Sequence, residues 1–71
     1  MKLTQEQKHH LLVNMSSYDM VKIFETTDIQ WLEKQEMELK KDMYGWYELY
    51  VNGELTTSYN PIWLEQINLH I

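Results

Sequence analysis

A chain of 71 residues with a formal charge of −5, six Lys, eleven Asp and Glu, no Arg and no Cys has room for one small domain. The missing Cys excludes disulfides, thiolate metal sites and thiol catalysis, and points to a reducing, cytoplasmic setting. The acidic balance and missing Arg disfavour phosphate backbones, base edges and anionic membrane surfaces as partners, so no direct nucleic acid and no membrane is expected.

A domain this short buries only about 60% of the surface its unfolded chain exposes. Nearly every large apolar side chain is then needed for the core, which leaves little room for a catalytic pocket. The opening Met1-Lys2-Leu3-Thr4 segment has no apolar stretch of signal-peptide length, and the longest apolar run is Leu11 to Val13, far short of a membrane span. Ala is absent although it is the best helix former. Codon bias in an AT-rich genome, such as those of low-GC bacteria and their phages, accounts for that omission.

Thr4 followed by Gln7 has capping-box spacing. Leu11, Leu12 and Met15 then share one helical face, which predicts a first helix over about 4–14. Ser16, with Asp19 three residues on, starts a second helix over about 17–25, with Met20, Val21 and Phe24 as its apolar side. Thr27 and Gln30 repeat the capping spacing, and Ile29, Leu32, Leu39 and Met43 share a face at 100° per residue. These residues predict a third helix over about 28–42, with Trp31 on its flank and Glu36 to Lys40 as a favourable i,i+4 pair.

Six of the nine aromatic residues lie between Tyr44 and Trp63. Two runs rich in aromatic and β-branched residues flank Asn52-Gly53, a strong hairpin signal because a type I′ turn needs two positive φ angles. Strands are expected at about 45–51 and 54–59. A two-residue loop places Val51 opposite Glu54, Tyr50 opposite Leu55 and Trp46 opposite Tyr59. Trp46, Tyr50, Leu55 and Tyr59 then form the core face, packed on Leu32 and Leu39 of the third helix. Tyr47, Leu49 and Val51 face outward, beside Glu54. Asn60-Pro61 starts a short C-terminal helix over about 61–69, although Ile67, Leu69 and Ile71 also alternate as a strand would. The fold class is α+β: three N-terminal helices, an antiparallel hairpin and a C-terminal helix.

No catalytic, cofactor or metal site is legible. His9 and His10 are adjacent and point about 100° apart on a helix, so they lack chelating spacing and read as solvated positions. Ser16, Ser17 and Ser58 lack a nucleophile-elbow context, and Gly45 and Gly53 are too few for a phosphate-cradling loop. Glu33, Glu36, Glu38 and Asp42 read as the wet face of the third helix. Tyr and Trp are the usual anchors of protein interfaces. The candidate protein-binding residues are therefore Tyr47, Leu49, Val51, Trp31 and Glu54. The expected function is that of a small acidic adaptor or inhibitor that binds another protein, with a homodimer among the expected states. The alternatives are an acidic nucleic-acid mimic and a self-associating structural subunit.

Overall fold

A computed structural model describes residues 1–70; Ile71, the last member of the alternating Ile67-Leu69-Ile71 set, lies outside the described residues. Four helices surround one face of a three-stranded antiparallel sheet, the α+β arrangement expected. Helix α1 (Gln5–Val13) starts on the capping box: Thr4 Oγ1 accepts from the Gln7 amide at 3.1 Å, and Gln7 Oε1 accepts from the Thr4 amide at 2.9 Å. Helix α2 (Ser17–Phe24) is capped by Ser16, whose hydroxyl accepts from the Asp19 amide at 3.1 Å. It ends at Glu25, which takes a left-handed conformation at φ 61°, a costly one for a residue with a Cβ.

The third helix is much shorter than expected. Helix α3 (Ile29–Glu33) is capped by Asp28, whose Oδ1 accepts from the Trp31 amide at 3.1 Å. It stops where Lys8 Nζ, reaching over from α1, donates to the carbonyls of Glu33 (2.8 Å) and Gln35 (2.9 Å). Strand β1 (Met37–Lys41) replaces the rest of the expected helix. Glu36-Met37-Glu38-Leu39-Lys40 alternates polar and apolar, the two-residue period of a strand. As a strand it buries both Met37 and Leu39, which a helix could not place on one face. Met43, assigned to the helical stripe, is instead almost fully exposed. Glu36 pairs with Lys2 at 3.0 Å rather than with Lys40.

Strands β2 (Tyr47–Val51) and β3 (Glu54–Tyr59) form the expected hairpin, with Asn52 at φ 52° and Gly53 at φ 84° in the turn. The strands lie in the order β1-β2-β3. Met37 pairs with Val51 and Leu39 with Leu49. Residues 1–3 extend the β1 edge, with the Leu3 amide donating to the Met37 carbonyl and the Leu39 amide to the Met1 carbonyl, both at 2.9 Å. Asn52 ties the turn to the start of β1: its Oδ1 accepts from the Glu36 amide at 3.1 Å and its Nδ2 donates to Gln35 Oε1 at 3.0 Å.

The pairing begins in the expected register, Val51 with Glu54 and Tyr50 with Leu55, and then slips. Leu49 pairs with Thr57, so Thr56 is the extra residue of a bulge, and Tyr59 ends opposite Tyr47 instead of Trp46. That slip carries Tyr59 to the other face of the sheet. The core face is consequently the reverse of the one expected. Leu49 and Tyr59 are buried, Tyr47 and Val51 pack against the core, and Trp46 and Leu55 are exposed. Tyr50 lies on the outer face, with Lys40 Nζ 4.7 Å from its ring centroid.

Helix α4 (Pro61–Gln66) starts on Asn60, whose Oδ1 accepts from the Ile62 amide at 2.9 Å. It closes with Asn68 at φ 59° and the Leu69 amide donating to the Leu64 carbonyl at 2.9 Å, the pattern of a Schellman cap with Asn in the left-handed position. The core gathers Leu11, Leu12, Met20, Leu32, Met37, Leu39, Leu49, Leu64 and Leu69 between the helices and the inner sheet face. It is built of Leu and Met rather than of the aromatic cluster. Among the described residues no helix is long and apolar enough to cross a membrane.

Tyr59 is the aromatic residue that does join the buried core. Its ring stacks on Trp63 with centroids 5.1 Å apart, and its hydroxyl donates to Met15 Sδ at 3.5 Å. Burial, with a smaller push from the Asp19 carboxylate, holds this hydroxyl well above its ordinary value of 10.0. The unfolded chain ionises near that ordinary value while the folded chain does not. The contribution to stability is therefore full below pH 10 and is lost as pH rises above it. Thermal unfolding across this range should fall more steeply for the wild type than for Tyr59→Phe. Parallel curves for the two proteins would show that Tyr59 ionises freely in the fold.

Candidate protein-binding surface

The surface follows from how α3 ends and how the hairpin turns. Helix α2 finishes at Phe24, and the left-handed Glu25 reverses the chain toward α3. Thr26 Oγ1 accepts from the Asp28 amide at 3.1 Å, and Asp28 then caps α3. Because α3 has only five residues, Trp31 stands close to the turn end of the hairpin. The result is an open cleft of about 560 Å³ lined by Ile23, Phe24, Trp31, Leu32, Val51, Asn52, Glu54, Leu55 and Thr56.

Three of the five candidate residues, Trp31, Val51 and Glu54, come together here. Trp31 is 52% exposed and Leu55 is 55% exposed, although both are large and apolar. Val51, Phe24 and Ile23 are half-buried and pack on the core beneath them. The other two candidates lie elsewhere. Leu49 is fully buried at the centre of the sheet and presents nothing to a partner. Tyr47 is half-buried at the far end of β2, with Lys41 Nζ 5.9 Å from its ring centroid. It lines a smaller depression with Pro61, Leu64, Glu65, Leu69 and His70.

Leu55 was assigned to the core and is the residue of this surface that sequence reasoning placed on the wrong side. The bulge at Thr56 is responsible: it leaves Leu55 outward while turning Tyr59 inward. Phe24 was recognised only as an apolar residue of α2, and Ile23 was not singled out. Their i and i+1 positions at the end of α2 were the available signal.

No protein-family model, no curated protein and no solved structure matches this chain.

The change from helix to strand puts Glu36 and Glu38, two residues apart, on one side of the β1 segment, while Glu33 ends α3. Each lies beside a positively charged or ring-nitrogen group. Glu33 accepts from His9 Nδ1, Glu36 meets Lys2 Nζ at 3.0 Å, and Glu38 is 3.7 Å from the Met1 ammonium. The hydrogen bond that Lys2 donates to Glu36 holds its ammonium above the ordinary value. His9 is exposed, as expected, and His10 is half-buried. His9 joins α1 to α3 through Glu33, and His10 Nε2 hydrogen-bonds the Ile67 carbonyl at the end of α4. Among the described residues no three His, Asp or Glu side chains converge where an ion could sit.

Proposed function

We propose that this chain is a small acidic adaptor or inhibitor that acts by contact with another protein through the Trp31 cleft. The observation that carries this reading is the exposure of Trp31 and Leu55 over an apolar floor. A domain of this size has strong reason to bury such side chains, and it leaves them at the rim of a concave surface. Trp is among the residues most enriched at the energetic centres of interfaces, where a well-packed pocket excludes water around it. Glu54, exposed at the rim, supplies a polar group that can orient a partner. Contact fits this cleft better than catalysis, because Glu54 is the lone carboxylate lining it and is exposed, with nothing beside it to form an acid–base pair. A reducing, cytoplasmic setting accompanies the proposal on the absence of Cys.

The test is affinity capture from the cells that express the protein, run side by side with wild type, Trp31→Ala and Tyr18→Ala. Tyr18 is exposed on α2 and does not line the cleft. A protein retained by wild type and by Tyr18→Ala and lost with Trp31→Ala is the expected result. Thermal unfolding of Trp31→Ala should stay close to that of wild type. Equal retention by all three proteins would remove the cleft from the binding surface.

A further inference from the structure

The hairpin turn carries a chemical reactivity that turn formation does not use. The carboxamide of an asparagine can be attacked by the backbone nitrogen of the residue that follows it. How readily this happens depends on how open that nitrogen is. The chain has four asparagines, Asn14, Asn52, Asn60 and Asn68. Three of them precede a nitrogen that the fold withholds. The Met15 amide, after Asn14, donates to the Leu12 carbonyl at 3.2 Å, and the Leu69 amide, after Asn68, donates to the Leu64 carbonyl at 2.9 Å. Asn60 precedes Pro61, whose ring nitrogen has no hydrogen to give up. Gly53, after Asn52, differs on each count. Among the described residues no turn or loop hydrogen bond takes up its amide. It is exposed, and a Cβ built on it would meet nothing within 4 Å.

The Asn52 side chain is exposed as well, and both of its polar atoms are engaged. Oδ1 accepts from the Glu36 amide at 3.1 Å, and Nδ2 donates to Gln35 Oε1 at 3.0 Å. The Glu36 contact bears on reactivity. Attack at Cγ moves negative charge onto Oδ1, and a fixed N–H donor on that oxygen stabilises the charge as it develops. The Glu36 amide is held in place for this, because the Glu36 carbonyl accepts from the Asn52 amide at 2.8 Å.

We infer that Asn52 is a site of spontaneous deamidation in the folded protein, with the Gly53 amide as nucleophile and water as the second reactant. The Gly53 nitrogen forms a bond to Asn52 Cγ and the Cγ–Nδ2 bond breaks. Nδ2 takes the Gly53 amide proton and leaves as ammonia, and a succinimide ring remains. Water then opens the ring. Opening at Cγ leaves an aspartate; opening at the backbone carbonyl carbon leaves an isoaspartate, whose main chain runs through Cβ and Cγ. The inference rests on the turn alone and does not require that the Trp31 cleft bind a protein. Its products nevertheless alter that cleft, which Asn52 lines together with Glu54. Each adds a carboxylate there and removes the donor that ties the turn to Gln35. Isoaspartate also lengthens the backbone of a two-residue turn between Val51 and Glu54, and turn length sets strand register.

Peptide mass spectrometry of wild-type protein aged at mildly alkaline pH tests the inference, with a parallel sample unfolded in guanidinium chloride. In the folded sample the peptide containing Asn52 should gain the mass shift of an amide becoming an acid. Its rate should exceed those at Asn14, Asn60 and Asn68 by at least about tenfold. Isoaspartyl methyltransferase should label the same peptide and no other asparagine peptide. In the unfolded sample the rates at Asn14 and Asn68 should rise, because unfolding releases the Met15 and Leu69 amides. Conversion of Asn52 in guanidinium chloride with none in the folded protein overturns the inference, since the bonds to Glu36 and Gln35 then hold the carboxamide away from Gly53. Equal conversion at all four asparagines of the folded protein overturns it too.

Discussion

Leu49→Ala should cost about 3–5 kcal/mol and leave the chain largely unfolded. Leu49 is fully buried in the middle strand, paired with Leu39 on one side and Thr57 on the other. Truncation leaves a void between sheet and helices that close packing cannot readily refill. A small domain has only a few kcal/mol of net stability, so one such loss is decisive. Trp46→Ala, by contrast, should cost about 1 kcal/mol or less, because Trp46 is exposed and its burial is partial. Chemical denaturation of the two variants separates these expectations. A severe loss with Trp46→Ala and a mild one with Leu49→Ala would return the core to the face first expected from the sequence.

Lys8→Met should be the second large effect. Lys8 Nζ donates to two carbonyls, those of Glu33 and Gln35, and both lie just where α3 stops. Hydrogen bonds from a charged donor contribute about 1.5–3 kcal/mol, and carbonyls at a helix end need such partners or water. Met keeps most of the side-chain stem and removes only the donor. Urea unfolding should show a loss of about 2 kcal/mol, since the site is partly open to solvent. Trp31 emission should change with it, because the same bonds fix the end of the helix that carries Trp31. A change within about 0.5 kcal/mol, with unaltered emission, would show that water replaces Lys8 without consequence.

Local signals were legible where a few neighbouring residues determine the outcome. Thr4 with Gln7, Ser16, and Asn60 with Pro61 each mark a helix start, and each side chain accepts the expected backbone hydrogen. Asn52-Gly53 marks the turn for the same reason, since few other pairs accept two positive φ angles. The third helix failed because residues 29–43 satisfy two periods at once. Ile29, Leu32, Leu39 and Met43 suit a helix wheel, while Met37 and Leu39 between charged neighbours suit a strand. Pairing with β2 and the Lys8 contact decide between them, and both are long-range.

The bulge at Thr56 was not legible at all. Leu55-Thr56-Thr57-Ser58 contains no Gly, Pro, Asn or Asp to announce it. Its effect was large, because a one-residue slip changes which face every later side chain joins. Without the bulge Tyr59 shares a face with Trp46, Tyr50 and Leu55, and that face then looks the more apolar, which puts Leu55 inside and Tyr47 and Leu49 outside. Trp31 and Glu54 were recognised individually as surface candidates. Their assembly into one cleft depends on the early stop of α3 and on the left-handed Glu25, and no glycine signals that turn.

The central functional claim is that the Trp31 cleft is where this chain meets another protein. Site-specific photo-cross-linking in cells that express it is the most direct measurement, with a benzophenone side chain placed at Trp31 in one variant and at Tyr18 in another. Both positions are exposed, and Trp31 alone of the two lines the cleft. A discrete protein adduct, with a second copy or a different protein, is expected at Trp31 and none at Tyr18, with Leu55→Ser suppressing it. Adducts at Tyr18 with none at Trp31, or the same adducts at both, would contradict the claim.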